Sequence, residues 1–221
     1  MDNPIFNIVI FYPLLLFCLS FHEAAHAWTA DKFGDDTAKL LGRITLNPLP
    51  HMDLIGTVFL PLMSLVTGAA LIGWGKPVPV NPYHFKDPRW SSLWVAAAGP
   101  ISNLILAVLF ALSLHGLLRA LPYVDIDHLQ DGKLMADAIS LLFLICKMGV
   151  ILNLALAFFN LIPFFPLDGG TVLRGLLPPS MVPGYDQFAR YSPFLLLFLF
   201  ISGLLRYVLI PVTLAAQFLL P

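Results

Sequence analysis

PIFNIVIFYPLLLFCLSFHEAAHAWTA, residues 4–30, is apolar for long enough to cross a bilayer, yet its last third carries two histidines and a glutamate. A spanning helix needs about twenty mostly apolar residues. In a helix begun near residue 5, Glu23 lies ~27 Å along the axis at ~1.5 Å per residue. That is close to the inner boundary of a hydrocarbon core roughly 30 Å thick. Ionisable side chains at such depth are expensive and usually mark a functional site. The bland alternative is three polar residues that merely finish a helix among the headgroups. Spacing argues for chemistry: His22 and His26 stand four residues apart, on one helical face and about one turn from each other, where two imidazoles share a tetrahedral zinc. Glu23, beside His22, is within reach of a water activated by that metal. It is also the single glutamate among thirteen acidic residues.

Outward from this stretch the composition stays that of a membrane protein. Of the 221 residues 58% are hydrophobic and 11% charged, against roughly 45–50% and about 25% in soluble domains. Mean hydropathy is +0.84. A formal net charge of −1 argues against nucleic acid, which calls for a basic patch. No Lys or Arg precedes the first apolar run and no small-residue cleavage site follows it, so the run is expected to be a retained span. Cys18 and Cys146 sit in apolar stretches and read as small buried hydrophobes. There is no internal repeat.

Apolar stretches run over about 4–30, 54–74, 92–118, 138–167 and 193–219. They predict an all-α polytopic membrane protein of about five hydrophobic helical segments forming one domain over 1–221. Its catalytic core is expected over about 5–177, with an extra C-terminal transmembrane helix at 193–219. Connectors 31–43, 75–91 and 168–191 hold an excess of Lys and Arg, whereas 119–137 carries four aspartates. The bias puts the first three in the cytoplasm. A simple crossing by 54–74 would break that parity, so this stretch is expected to be re-entrant, bending at Pro61 or Gly68. GRITLNPLP (42–50) and GKPVPVNP (75–82) mix β-formers with prolines and are expected to be short β-like connectors or irregular loops, with an edge that holds an extended peptide.

Two histidines are one ligand short of a usual catalytic zinc site. The strongest third candidate is Asp168 in NLIPFFPLDGG (160–170). Residues 148–167 provide enough chain to cross from the outer surface and bring Asp168 to the level of the histidines. The alternative is an Asp-Gly-Gly turn leaving the membrane.

HEAAH, AGPISN (98–103) and NLIPFFPLDGG together resemble the signature segments of the site-2 proteases, intramembrane zinc metalloproteases. LLGRITLNPLPHMDLIGT and GWGKPVPVNP resemble the compact branch of that family without a PDZ domain. The resemblance covers about residues 15–175. It implies one zinc per chain held by His22, His26 and Asp168, Glu23 as the catalytic acid/base, and Asn160 at the substrate backbone or the oxyanion. Substrates would be single-span membrane proteins within the lipid bilayer, in regulated intramembrane proteolysis. The place would be a prokaryotic plasma (inner) membrane, with the active site towards the cytoplasmic side.

Each remaining residue has a plainer reading. Asn160 equally serves to cap freed backbone. Asn103 and Asn153 read as structural polar groups bonding between helices, and Gly99 and Ser102 as allowing close approach. His51 and Asp53 near a cavity mouth could gate, though a polar loop is favoured. His84, His115 and His128 read as surface or interfacial. Arg206 either snorkels or pairs within the bundle. The rival functions are a metal transporter, which should repeat polar groups along several spans, and an inactive adaptor, against which intact HEAAH and LDGG argue.

Overall fold

The computed structural model describes residues 4–61, 63, 73–123 and 132–221. Helix α1, Pro4–Lys32, is 29 residues long, about 43 Å at ~1.5 Å per residue. It stops where Gly34 takes φ +105°. The Gly34 N–H then reaches the Asp31 carbonyl and the Asp35 N–H the Ala30 carbonyl, at 3.1 and 2.9 Å, a Schellman closure that a Cβ-bearing residue resists. Helix α2, Pro88–Ala120, opens on Asp87, whose carboxylate accepts from the Trp90 N–H at 3.0 Å. Pro88 fills its first turn, where no N–H is needed. Helix α3 is Gly132–Asn160.

These three helices are long and apolar enough to cross a membrane. They run up, down, up. His22 and His26 of α1 meet Asn103 and Val95 of α2 in reverse order, and Asn103 and Phe110 of α2 meet Asn153 and Gly149 of α3 in reverse order. The packing is close because its residues are small: a Cβ on Gly149 would stand 2.6 Å from the Phe110 ring. Leu14, Leu15, Cys18, Leu19 and Leu152 bury the α1–α3 contact. Ala107, Ala111, Val150 and Leu154 bury the α2–α3 contact together with Val212.

After α3 the chain turns tightly through 161–167 and starts helix α4 at Asp168, Asp168–Leu176. Asp-Gly-Gly is therefore a helix start, not only an exit turn. A Cβ on Gly169 would collide with the Leu161 and Ile162 carbonyls, so glycine is what lets α4 fold back against the end of α3. Helix α5 is Val182–Ala189, α6 Ser192–Ile201 and α7 Ile210–Leu219.

The C-terminal transmembrane helix expected over 193–219 is broken: α6 and Leu205–Leu219 meet at 94°. Gly203 at φ +72° ends the first piece, and Pro211 begins the last, where it suits a first turn. Counting this bent pair, up to four spans lie among the described residues, where about five were expected. Most of 54–74 lies outside those residues. Its described start is one turn of wide helix, Leu54–Phe59, capped by Asp53.

The chain between α1 and α2 leaves and rejoins the bundle at one end. Asp35, fully buried, ties it together: Asp35 accepts from the Thr37 hydroxyl at 2.5 Å, the Asn81 N–H at 2.7 Å and His84 at 2.9 Å. No strand occurs among the described residues, which corrects the β-like connectors. Residues 42–50 form turns and 73–81 run irregularly, since Pro77 and Pro79 offer no N–H to a ladder.

Candidate metal centre

His22 and His26 lie on one face of α1, 4% and 8% exposed. Their Nε2 atoms are 3.0 Å apart. Asp168, first residue of α4, brings Oδ2 to 3.1 Å from His22 Nε2 and 3.4 Å from His26 Nε2. The structure brings the two histidines together with the third candidate ligand, Asp168, from far along the chain, and one ligand atom from each lies within 4.8 Å of the others.

The protons say what belongs there. His26 Nδ1 meets the Val95 carbonyl at 2.6 Å, and a carbonyl only accepts, so Nδ1 carries the hydrogen. His22 Nδ1 meets Asn103 Oδ1 at 2.6 Å. In neutral imidazoles both Nε2 atoms then present lone pairs to each other and to a carboxylate. Among the described residues, buried Asp168 Oδ2 has no hydrogen-bond partner. Three converging lone pairs repel unless a cation lies among them. Donor atoms of a tetrahedral site with bonds of about 2.0–2.2 Å stand about 3.3–3.6 Å apart, close to the separations found. Two imidazoles and a carboxylate therefore fit zinc.

The space is kept by Gly99 of α2. A Cβ there would lie 2.6 Å from His22 Nε2 and closer still to His26 Nε2. Sequence reasoning took Gly99 for a packing residue; no local pattern says that its missing side chain faces two imidazoles.

Glu23, 8% exposed, accepts from the Val78 N–H at 3.1 Å. Residues 73–80 pass along the site, held by Lys76. Its N–H reaches the His51 carbonyl at 2.8 Å and its carbonyl accepts from buried Arg43. His51 itself is 2% exposed, with Nε2 on the Thr45 carbonyl at 2.8 Å. Asp53 caps Ile55 and Gly56 at 3.0 and 2.7 Å. Both residues thus hold the connector together. Arg43 and the Val78 N–H were missed because nothing local marks them.

A cavity of about 710 Å³ opens beside the cluster, lined by His22, Glu23, His26, Asp168, Asn160 and the 73–80 segment among others. Asn160, the last residue of α3, donates to its own Leu156 carbonyl at 2.9 Å. It therefore supports a helix end while bordering the cavity. Asn103 and Asn153 bond between helices, as expected, at 2.8 Å. Arg206 donates to the Tyr207 hydroxyl at 2.8 Å and stays exposed.

Comparison with known proteins agrees with the geometry. YwhC of Bacillus subtilis, which bears a provisional zinc-metalloprotease name, is 38% identical over 213 residues, 91% of this chain and 89% of that protein. Rip2 of Mycobacterium tuberculosis H37Rv, with a similar provisional name, is 28% identical over 203 residues, 91% of this chain and 70% of its own. The zinc metalloprotease MJ0392 of Methanocaldococcus jannaschii is 29% identical over 177 residues, 80% of this chain but 37% of that longer protein. No solved structure matches. The family description of peptidase M50 matches residues 10–202, nearly the whole of the helical bundle with its metal-binding end, and so the chain belongs to peptidase family M50.

Proposed function

We propose that this chain is an intramembrane zinc endopeptidase that cuts within or near the transmembrane helix of single-span membrane proteins. The observation that carries the reading is the set of converging His22, His26 and Asp168 lone pairs, at the end of apolar helices and beside Glu23. Bound zinc would supply Lewis acidity towards water and a peptide carbonyl. Glu23 takes the proton of the attacking water and returns it to the leaving amine. The Val78 N–H on Glu23 Oε2 fixes which carboxylate oxygen is free for that transfer. Asn160, at the cavity wall, has an amide hydrogen left for the oxyanion after bonding Leu156. A helical peptide bond is shielded by its own hydrogen bonds, so the substrate must unwind before it reaches Glu23.

The site is read as facing the cytoplasm, from the Lys and Arg of the connectors at its end of the bundle. We also read 54–74 as re-entrant. Gly73 stands against the Gly56 carbonyl, and the Thr57 carbonyl accepts from the Tyr12 hydroxyl of α1 at 2.6 Å.

Bound metal per chain, measured on detergent-purified wild type and Asp168→Ala, tests the centre. About one zinc in wild type and most of it lost in the variant is expected. Wild type that takes up no added zinc would sink the protease reading, and undiminished zinc in Asp168→Ala would remove Asp168 from the ligand set.

A further inference from the structure

Each zinc-facing imidazole is steered by whatever its other nitrogen bonds. His26 is steered by a main-chain carbonyl. His22 is steered by a side chain, and the amide of that side chain has two ends that could be exchanged. Its orientation follows from the chemistry of its neighbours. The chain of bonds starts at the Gly149 carbonyl, which can only accept, so Asn153 must turn Nδ2 towards it, at 2.8 Å. The second hydrogen of that nitrogen goes to Cys18 Sγ at 3.1 Å. Asn153 Oδ1 is thereby left for Asn103, which must present Nδ2 to it, at 2.8 Å. A weaker bond from the same nitrogen reaches the Cys18 carbonyl at 3.4 Å. Asn103 Oδ1 is then the only end that can face His22 Nδ1, at 2.6 Å. Asn103, Asn153 and Cys18 are all completely buried, so no water competes for these bonds.

From this relay we infer that Asn103 and Asn153 are positioning residues of the metal centre. Together they hold the His22 hydrogen on Nδ1 and the Nε2 lone pair on the metal, and they couple the site to the packing of α1, α2 and α3. A merely structural pair would need only the Asn103–Asn153 bond. The link to His22 and the fixed direction of every donor make it an outer ligand shell, of the kind whose loss commonly lowers metal affinity 10- to 100-fold. The inference rests on the zinc reading of His22, His26 and Asp168.

Zinc affinity of the full detergent-purified chain, by competition with a chelator of known affinity, tests it, alongside the thermal midpoint of the metal-free chain. Asn103→Ala removes the acceptor and is expected to weaken zinc by about 10- to 100-fold. Asn103→Asp is isosteric and keeps an acceptor on His22 Nδ1. It is expected to bind zinc as tightly as wild type or tighter, even though Asn153 must rotate to satisfy it and the metal-free midpoint falls. Wild-type affinity in Asn103→Ala, or equal losses in Ala and Asp, would overturn the inference. Should Asn103→Ala not fold, Asn103→Asp decides alone: retained affinity supports the role and a tenfold loss removes it. Wild type that binds no zinc would reject both this inference and the protease reading, whereas a zinc-binding wild type with indifferent variants rejects the inference only.

Discussion

An imidazole binds metal through one nitrogen and needs the other one held. In His22 and His26 the holding groups come from α2, 81 and 69 residues away, so the ligand pair that looks self-sufficient on one helix is complete only against another. Among the described residues, Glu23 is steered by a peptide N–H, that of Val78. Glu23→Gln keeps the size and the Val78 contact but cannot take a proton. Wild-type zinc content with cleavage of a single-span substrate reduced at least 10²-fold is the expected result; cleavage within tenfold of wild type would refute Glu23 as the base. Gly99 makes an equally local prediction. Gly99→Ala puts a methyl group where the two Nε2 atoms converge, and α2 cannot retreat without disturbing its packing on α1 and α3. Bound zinc should fall below about one-tenth of wild type in a chain that still folds, and full occupancy would show that the helices give way.

At the scale of elements, small residues and amides hold the bundle together, because lipid is as apolar as a leucine core and burial alone gives helices little reason to associate. Ala107, Ala111 and Gly149 allow close approach, and the asparagine relay adds direction more than energy, at about 0.6 kcal/mol per interhelical bond on average. Beyond the end of α1 the connector to α2 is tied together by Asp35. Burial pushes its carboxyl up, but donors from Thr37, Asn81 and His84 outweigh that and hold it below the ordinary carboxylate range. A depressed carboxyl stabilises the fold above its unfolded pKa, near 3.9. That contribution is lost as pH falls through the folded value. Thermal midpoints should therefore hold their Asp35 contribution from pH 8 to 5 and lose it only below about pH 4. Asp35→Ala should cost about 1–3 kcal/mol at neutral pH by leaving the Asn81 and Thr37 donors unpaired. A variant as stable as wild type in a neutral-pH melt would deny Asp35 that role.

For the whole molecule the ends of α1, α3 and the start of α2 gather at one side, with Asp168 brought in by α4. Every residue of the candidate centre thus sits at one end of the bundle, and the end of α2 at Ala120 and the start of α3 at Gly132 mark the other. If that end faces the cytoplasm, a cysteine at Lys86, on a background lacking Cys18 and Cys146, should resist a membrane-impermeant thiol reagent in intact cells and react after lysis. A cysteine at Tyr123 should react in intact cells. The reverse pattern would invert the molecule in its membrane.

Much of this was legible without coordinates. Apolar length, the four-residue spacing of His22 and His26, and the lone glutamate between them are properties of one helix, and a helix's faces follow from its period. The resemblance carried by HEAAH, AGPISN and NLIPFFPLDGG pointed to the family that the chain belongs to. Two elements were not settled by the sequence for a shared reason: the break near Gly203, and the choice of an irregular run over a β-like one at 73–80, depend on single residues that can no longer continue a regular backbone, and apolar composition does not register them. The role of Gly99, the direction of the Asn103 and Asn153 amides, and the grip of Val78 on Glu23 belong to the tertiary structure alone. Each is a relation between residues distant along the chain, where what counts is an absent side chain or which end of an amide meets a carbonyl. No local pattern of residue types can encode either.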